Sequence, residues 1–393
     1  MTNLVPGTFF VIKVKKGARI SILGGWKLRG KFNKLTENLD YTLLFSVVII
    51  CFYGLLVLYS STRLATTEVD NPYFFVKKQF LWMVLGFLFL TIITFIDYHK
   101  LEGYSQVIYI SAIILLIMVI IFGRSTYGAK RWLPIGSFGS QPSEFAKVAL
   151  IIFLANFLSM NKLKLDNFFY FLLPFTYTGL LILLVFLQPD LGTSLVYLAI
   201  LIIMLFVVGV KIKYLIFTFI VTLSSIPVLW TFLKDYQKKR LILFFNPNLD
   251  PLGGGYNVIQ SKIAIGSGGF LGNGLFSGLQ SQLNFLPAQH TDFIFSVVGE
   301  ELGFVGAILL LGLYTIILWR GVKIALEAKD LLGTLLATGA VTFLFFHIVV
   351  NIGMAMGMFP ATGLPLSFLS YGGSFMISNL LVIGLLLNVE AHR

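Results

Sequence analysis

HTDFIFSVVGEELGFVGAILLLGLYTIIL, residues 290–318, decides how this chain must be read. From Phe293 to Leu318 it is long and apolar enough to cross a bilayer core, which takes roughly 20 apolar residues in a helix. Its first half nevertheless carries His290, Asp292, Glu300 and Glu301. A carboxylate near the bilayer centre costs about 2.5–3.5 kcal/mol on insertion scales, so three acids beside one apolar run call for partners or a task.

The rest of the chain repeats the apolar pattern. Of its 393 residues 57% are hydrophobic, only 12% are charged and 39 are Phe, a profile that a soluble domain of this length would not tolerate. Runs of spanning length lie near 41–60, 79–97, 104–122, 143–159, 168–187, 191–209, 212–232, 293–318, 332–358 and 366–388. The expected fold is an all-α polytopic membrane protein with about ten transmembrane helices and a large extracytoplasmic loop, 233–292, between spans seven and eight. Residues 1–40 read as a basic cytoplasmic tail and 41–390 as the transmembrane domain. That tail is too long a lead for a secretory signal, so the first span is expected to remain as a signal anchor. The single cysteine, Cys51, cannot form an internal disulfide and says nothing about redox compartment.

Lys and Arg collect in cytoplasmic segments, and this orients the chain. The first forty residues hold Lys13, Lys15, Lys16, Arg19, Lys27, Arg29, Lys31 and Lys34, and an even span count puts both termini inside. Lys162, Lys164, Lys211, Lys213, Arg320, Lys323 and Lys329 then fall inside as well. Two outer segments break the rule: Arg124, Lys130 and Arg131 after span three, and Lys234, Lys238, Lys239, Arg240 and Lys262 in the long loop. Basic residues on the translocated face suit an anionic headgroup or a diphosphate; the plain alternative is a solvated loop.

Within the long loop, FFNPNLDPLGGGYNVIQSKIAIGSGGFLGNG (244–274) mixes turn formers with an apolar pattern at Val258, Ile259, Ile263 and Ile265, as in a short helix on a membrane surface. Gly266, Gly268, Gly269, Gly272 and Gly274 would let backbone N–H groups approach a phosphate, or they simply make turns. They do not fit a dinucleotide fingerprint, because Leu271 takes the place of its third glycine.

Five acids lie in or beside the spans and are weighed for chemistry. Pro142, Ser143 and Glu144 form a helix start, and Glu144 and Lys147, three apart, share a face and can pair. Asp190 in QPDLGTS (188–194) stands at the mouth of span six, where N-capping is the simple reading. Asp292, at the outer start of span eight, best fits a general base: a carboxylate on a rigid element, partly desolvated and open to water. Its simple alternative is also a helix cap. Of Glu300 and Glu301, at least one is expected to pair within the bundle, with Lys147 as the candidate. His290 is too isolated to argue for a metal, and no nucleophile elbow supports hydrolysis.

GAKRWLPIGSFGSQPSEFAKVAL (128–150), QPDLGTS (188–194), YQKKRLILFFNPNLDPLGGGYNVIQSKIAIGSGGFLGNG (236–274), QSQLNFLPAQHTDFIFSVVGEELG (280–303) and NIGMAMGMFPATGLPLSFLSYGGS (351–374) resemble, in order, the SEDS family of shape, elongation, division and sporulation proteins. The HTDFIF and GYNVIQS wording is nearer its RodA-like elongation branch than its FtsW branch. The resemblance implies a peptidoglycan glycosyltransferase of the bacterial cytoplasmic (inner) membrane that polymerises lipid II into β-1,4 glycan on the outer face, for elongation and cell shape. It implies a class B penicillin-binding transpeptidase as partner, contact with the growing glycan and membrane lipids, and no nucleic acid. On the family's pattern Asp292 is the catalytic acid. Arg131, Arg240, Glu144, Lys147, Asp190 and the SYGG stretch, Ser370, Tyr371, Gly372 and Gly373, are substrate-binding positions. A divalent cation, Mg or Mn, is allowed for, with metal ligands unassigned and no organic cofactor. The chain departs from the pattern at Asn273, Leu279, Ala288 and Ser367, none of them a matched acid.

The rival class is a transporter (flippase) of lipid-linked precursor, since ten spans with buried acids also suit coupled transport. No inverted repeat is legible, and the densest motifs lie outside rather than at midplane. A third reading is a scaffold that activates the transpeptidase without chemistry of its own.

Overall fold

The computed structural model describes residues 38–63, 71–126, 129–135, 138–283 and 285–393. The basic tail expected over residues 1–40 therefore lies almost wholly outside the described residues. Helices α1 (Tyr41–Thr62), α2 (Phe74–Phe95), α3 (Tyr98–Phe122), α4 (Pro142–Asn161), α5 (Phe168–Phe186) and α6 (Leu191–Val208) occupy the first six expected spans. Between α3 and α4 lies an antiparallel meander, β1 (Arg124–Thr126), β2 (Ala129–Ile135) and β3 (Phe138–Ser140). An all-α reading misses this small sheet, which is what presents Arg131.

Helix α7 (Ile212–Phe232) occupies the seventh expected span, and the loop after it contains α8 (Asp235–Phe245), α9 (Tyr256–Ser267) and a single turn, α10 (Leu279–Gln282). The chain ends with α11 (Ile294–Glu327), α12 (Leu331–Ala355) and α13 (Gly373–Ala391). Among the described residues nine helices, α1–α6 and α11–α13, are long and apolar enough to cross a membrane; the apolar stretch of α7, Ile212–Val228, is shorter. The protein is a multi-pass, all-α membrane protein with that one small sheet.

Nearly all of α13 is buried, and with α4 and α12 it forms the axis of the bundle. In contrast α7 has no buried side chain among its described residues; Phe217 and Tyr214 attach it to Phe168 and Phe171 of α5. At the opposite end from the meander, Arg320 Nε donates to Asp40 Oδ2 at 2.5 Å, joining α11 to the start of α1.

The final span starts at Gly373 rather than near 366. Leu364, Leu366, Phe368 and Leu369 read as the start of a span, but they are buried in a non-helical stretch between α12 and α13. Pro360, Gly363 and Pro365 prevent that stretch from continuing either helix.

The helix expected around Val258–Ile265 is α9, but it packs on α11 rather than serving only as a surface helix. Its buried Ser261 bonds to Ser296 Oγ and to Ala355 O, both at 2.6 Å. The glycines that follow settle against a break in α11 at Gly303, where φ is 63° and ψ is −158°. Asn273 and Gly274 donate their N–H groups to the carbonyls of Glu300 and Glu301, each at 3.0 Å. In return Phe304 N donates to Gly269 O at 3.0 Å and Val305 N to Phe270 O at 3.1 Å. Only glycine holds the Gly303 conformation without strain, and a Cβ there would strike the Gly272 backbone. Gly268 and Gly272 pack closely on the α11 backbone, and the N–H groups of Gly272 and Gly274 are already bonded to protein carbonyls, which supports the turn reading of this loop over the phosphate cradle.

Candidate functional site

The QPD turn, the meander, α4, α8, the HTD segment and the non-helical stretch before α13 enclose a cavity of about 760 Å³. Seven expected site residues line it: Asp292, Arg131, Arg240, Glu144, Asp190, Tyr371 and Gly372. Lys147, Ser370 and Gly373 do not, and their places explain why. Lys147 is fully buried behind Glu144, Ser370 is turned toward the HTD backbone, and Gly373 packs under the Trp82 indole.

Asp292 is held through its backbone. Asn351 Nδ2 donates to Asp292 O at 2.8 Å and to Leu364 O at 2.7 Å, clamping the HTD segment to the stretch that precedes α13. Ser370 Oγ donates to Thr291 O at 2.5 Å, and Tyr371 N donates to His290 O at 2.9 Å. The N-cap of α11 is Phe293 and no side chain caps it, so Asp292 is not a capping acid. Burial pushes its carboxyl above the ordinary carboxylate value, against the opposing pull of Arg240, a Thr291 hydrogen bond and Arg131.

Asp190 does cap its helix, accepting from Thr193 N at 3.2 Å and Thr193 Oγ1 at 3.1 Å. It also faces Arg131, whose Nη1 is 3.7 Å away. The same guanidinium donates to the carbonyls of Gln188 and Pro189, which fixes it against the QPD turn. Arg240 donates to Ala361 O at 3.2 Å and lies over the Tyr236 ring, 5.7 Å from its centroid. Two guanidiniums of different elements thus face one cavity with Asp292 in its wall.

Behind the cavity Lys147 Nζ lies 2.8 Å from Glu144 Oε2 and 2.9 Å from His347 Nε2. The expected link from Glu300 or Glu301 to Lys147 is therefore corrected. Glu300 instead accepts from Gln280 N at 2.6 Å and Ser281 N at 3.0 Å, and Glu301 from Ser60 Oγ at 2.6 Å and Gln282 Nε2 at 3.1 Å. Both hold the loop turn α10 in place. Sequence reasoning misses His347 altogether. An ammonium only donates, so Nε2 is unprotonated and Nδ1–H donates to Pro365 O at 3.1 Å. His347 thereby connects the buried ion pair to the cavity wall.

Asn351, Trp132, Gln141, Thr193 and Tyr236 also go unassigned in the sequence, although all five lie in or beside the motifs quoted above. An isolated Asn in the apolar run 332–358 is the available signal for Asn351, since a buried amide must find partners.

Among the described residues no three His, Cys, Asp or Glu side chains converge as a metal site.

A family model described as a cell cycle protein, FtsW/RodA/SpoVE, matches residues 41–393. The chain belongs to the FtsW/RodA/SpoVE family. Stage V sporulation protein E of Bacillus subtilis is 37% identical over 359 residues, covering 90% of this chain and 97% of that protein. The peptidoglycan glycosyltransferase MrdB of Escherichia coli K12 is likewise 37% identical, over 91% of this chain and 94% of its own length. A chain from a solved peptidoglycan synthase complex, studied for how polymerization and crosslinking are coordinated, superposes with a TM-score of 0.77. Its identity is 33%, over 90% of this chain and 98% of that one. Within the FtsW/RodA/SpoVE family, the equal identity to a sporulation protein and to MrdB does not choose a branch.

Proposed function

We propose that this chain is a peptidoglycan glycosyltransferase whose cavity joins lipid II units, with Asp292 as general base. The observation that carries this reading is a carboxylate that caps nothing, half-buried in the wall of a cavity shared with Arg131 and Arg240. The name of MrdB and the complex of the structural neighbour support it. Asp292 takes the proton from the 4-hydroxyl of the acceptor GlcNAc, and that oxygen attacks the anomeric carbon of the donor MurNAc. The bond from that carbon to undecaprenyl diphosphate breaks, and one displacement turns the α-linked donor into a β-1,4 bond. Arg131 and Arg240 meet the charge developing on the leaving diphosphate, where preorganised donors act most strongly.

The cavity faces outward in this reading, with both termini cytoplasmic, and a class B penicillin-binding transpeptidase crosslinks the product. Elongation is the role favoured by the HTDFIF and GYNVIQS wording. A reporter fused after Arg393 should read cytoplasmic and one inserted near Asn248 external; protease protection with the opposite pattern would overturn the orientation.

Purified protein incubated with lipid II and the transpeptidase in detergent tests the activity directly. Glycan ladders without any membrane gradient exclude both the flippase and the scaffold.

The pH dependence has a definite sign. A base must be deprotonated, so the rate should fall as pH drops through the raised Asp292 value, above the range of an ordinary carboxylate. Arg240 is the largest charge holding that value down, so Arg240→Ala should move the acid limb to higher pH. An acid limb that moves down, or stays in place, would separate Arg240 from Asp292.

A further inference from the structure

We propose that an aromatic ribbon running from the cavity along the outer ends of α1 and α2 binds the product glycan and guides it away from Asp292. This rests on the glycosyltransferase reading and adds a second binding site to it.

The ribbon starts at Tyr371 in the cavity wall. Phe75 meets the Tyr371 ring edge-on at 5.1 Å and also packs on His290 at 5.2 Å. Phe74 meets Phe75 edge-on at 5.5 Å, with Lys78 Nζ 4.2 Å from its centroid. Next along the backbone, Tyr73 stacks on Tyr59 of α1 at 5.3 Å with only 7° between the planes. Phe276, from the long loop, closes the run against Tyr59 at 5.7 Å and carries Arg63 over its ring. Tyr73 is 51% exposed and Phe276 37%, so the far end is open.

Four parts of the chain thus bring their rings together, and one of them, Tyr371, lines the cavity. The C–H faces of pyranose rings are apolar and pack on aromatic faces, while the hydroxyl edges take hydrogen bonds from groups such as the Tyr hydroxyls. A β-1,4 amino-sugar chain offers such a face at each ring, and every cycle pushes it out of the cavity by one disaccharide. Lys78 and Arg63 add charge that suits the carboxylates of the attached peptides. An interfacial aromatic belt, which only anchors helix ends, is the competing explanation for rings at this level.

The two differ in what a leucine would do. Leucine keeps an apolar anchor but removes the stacking face, whereas Phe keeps the face and removes only the hydroxyl. Tyr59→Leu/Tyr73→Leu should therefore shorten the mean glycan strand roughly five- to tenfold, the size expected for a lost aromatic contact. The rate of first-bond formation should be unchanged, and Tyr59→Phe/Tyr73→Phe should give strands near the wild-type length. Strand length is read on gels with the transpeptidase inhibited, alongside thermal melting. Tyr73→Leu alone, at a half-exposed ring, replaces the double variant if that one unfolds. Wild-type strand lengths from the leucine variants, or equally short strands from the phenylalanine variant, would overturn the ribbon. Wild-type protein that makes no glycan at all would instead overturn the activity on which the ribbon rests.

Discussion

Asp292→Asn is expected to lower lipid II polymerisation by about 10²- to 10⁴-fold, the usual weight of general-base catalysis, while the protein folds and its complex with the transpeptidase forms. Asn is the sharpest replacement because it caps helices about as well as Asp. A capping acid would hardly notice the change, but Asp292 makes no cap bond to α11. The contacts that place it run through the carbonyls of Thr291, Asp292 and His290, which the substitution leaves intact. What disappears is a group able to accept a proton at working pH. Glycan synthesis is compared between purified wild-type and variant complexes, with complex formation measured in parallel. Near-normal ladders from the variant would end the assignment of Asp292 as the base.

The second large effect is expected on stability, at the ion pair behind the cavity. Lys147→Met leaves Glu144, 2% exposed, without its counter-charge, and Glu144→Gln leaves a fully buried ammonium with only His347 and nearby rings. Breaking such a pair from one side costs about 3–5 kcal/mol, because the remaining charge stays desolvated. Removing both charges should therefore be milder than removing either. Unfolding of the two single variants and the double variant is followed in detergent by thermal or denaturant titration. A double variant as damaged as the sum of the singles would show that the two side chains do not act as a pair.

Much of this protein can be read locally, and what cannot has a common cause. The spans α1 to α7 and α12 announce themselves because each run of apolar side chains faces lipid or neighbouring helices along its whole length. The start of α13 reads several residues early because Leu366–Leu369 is as apolar as a span but is buried by protein as a non-helical stretch. Arg131 and Arg240 stand out as basic residues that break the orientation rule and Asp292 as an acid beside an apolar run, and the cavity joins them. Asn351 and His347 acquire their roles from partners far along the chain, His347 from a lysine 200 residues away, and no local pattern records such a contact. The same holds for the break at Gly303: GEELG looks like ordinary helix until the loop near Gly272 is seen to supply its hydrogen bonds.

The length of α11 also fixes a depth. Its unbroken part, from Phe304 to Glu327, is 24 residues and would rise about 36 Å, slightly more than a hydrocarbon core of about 30 Å. Arg320, paired with Asp40, marks one limit of its apolar part. Counted from there to the break at Gly303 at about 1.5 Å per residue, the helix covers about 25 Å, so the break lies close to the far boundary of the core. Glu300 and Glu301, just past the break, then stand near that boundary. The cost of a mid-bilayer carboxylate falls on neither of them. On the proposed function, a sugar transferred near that boundary could leave the polyprenyl tail of its carrier immersed, so that chain growth would not require the carrier to be lifted out of the bilayer.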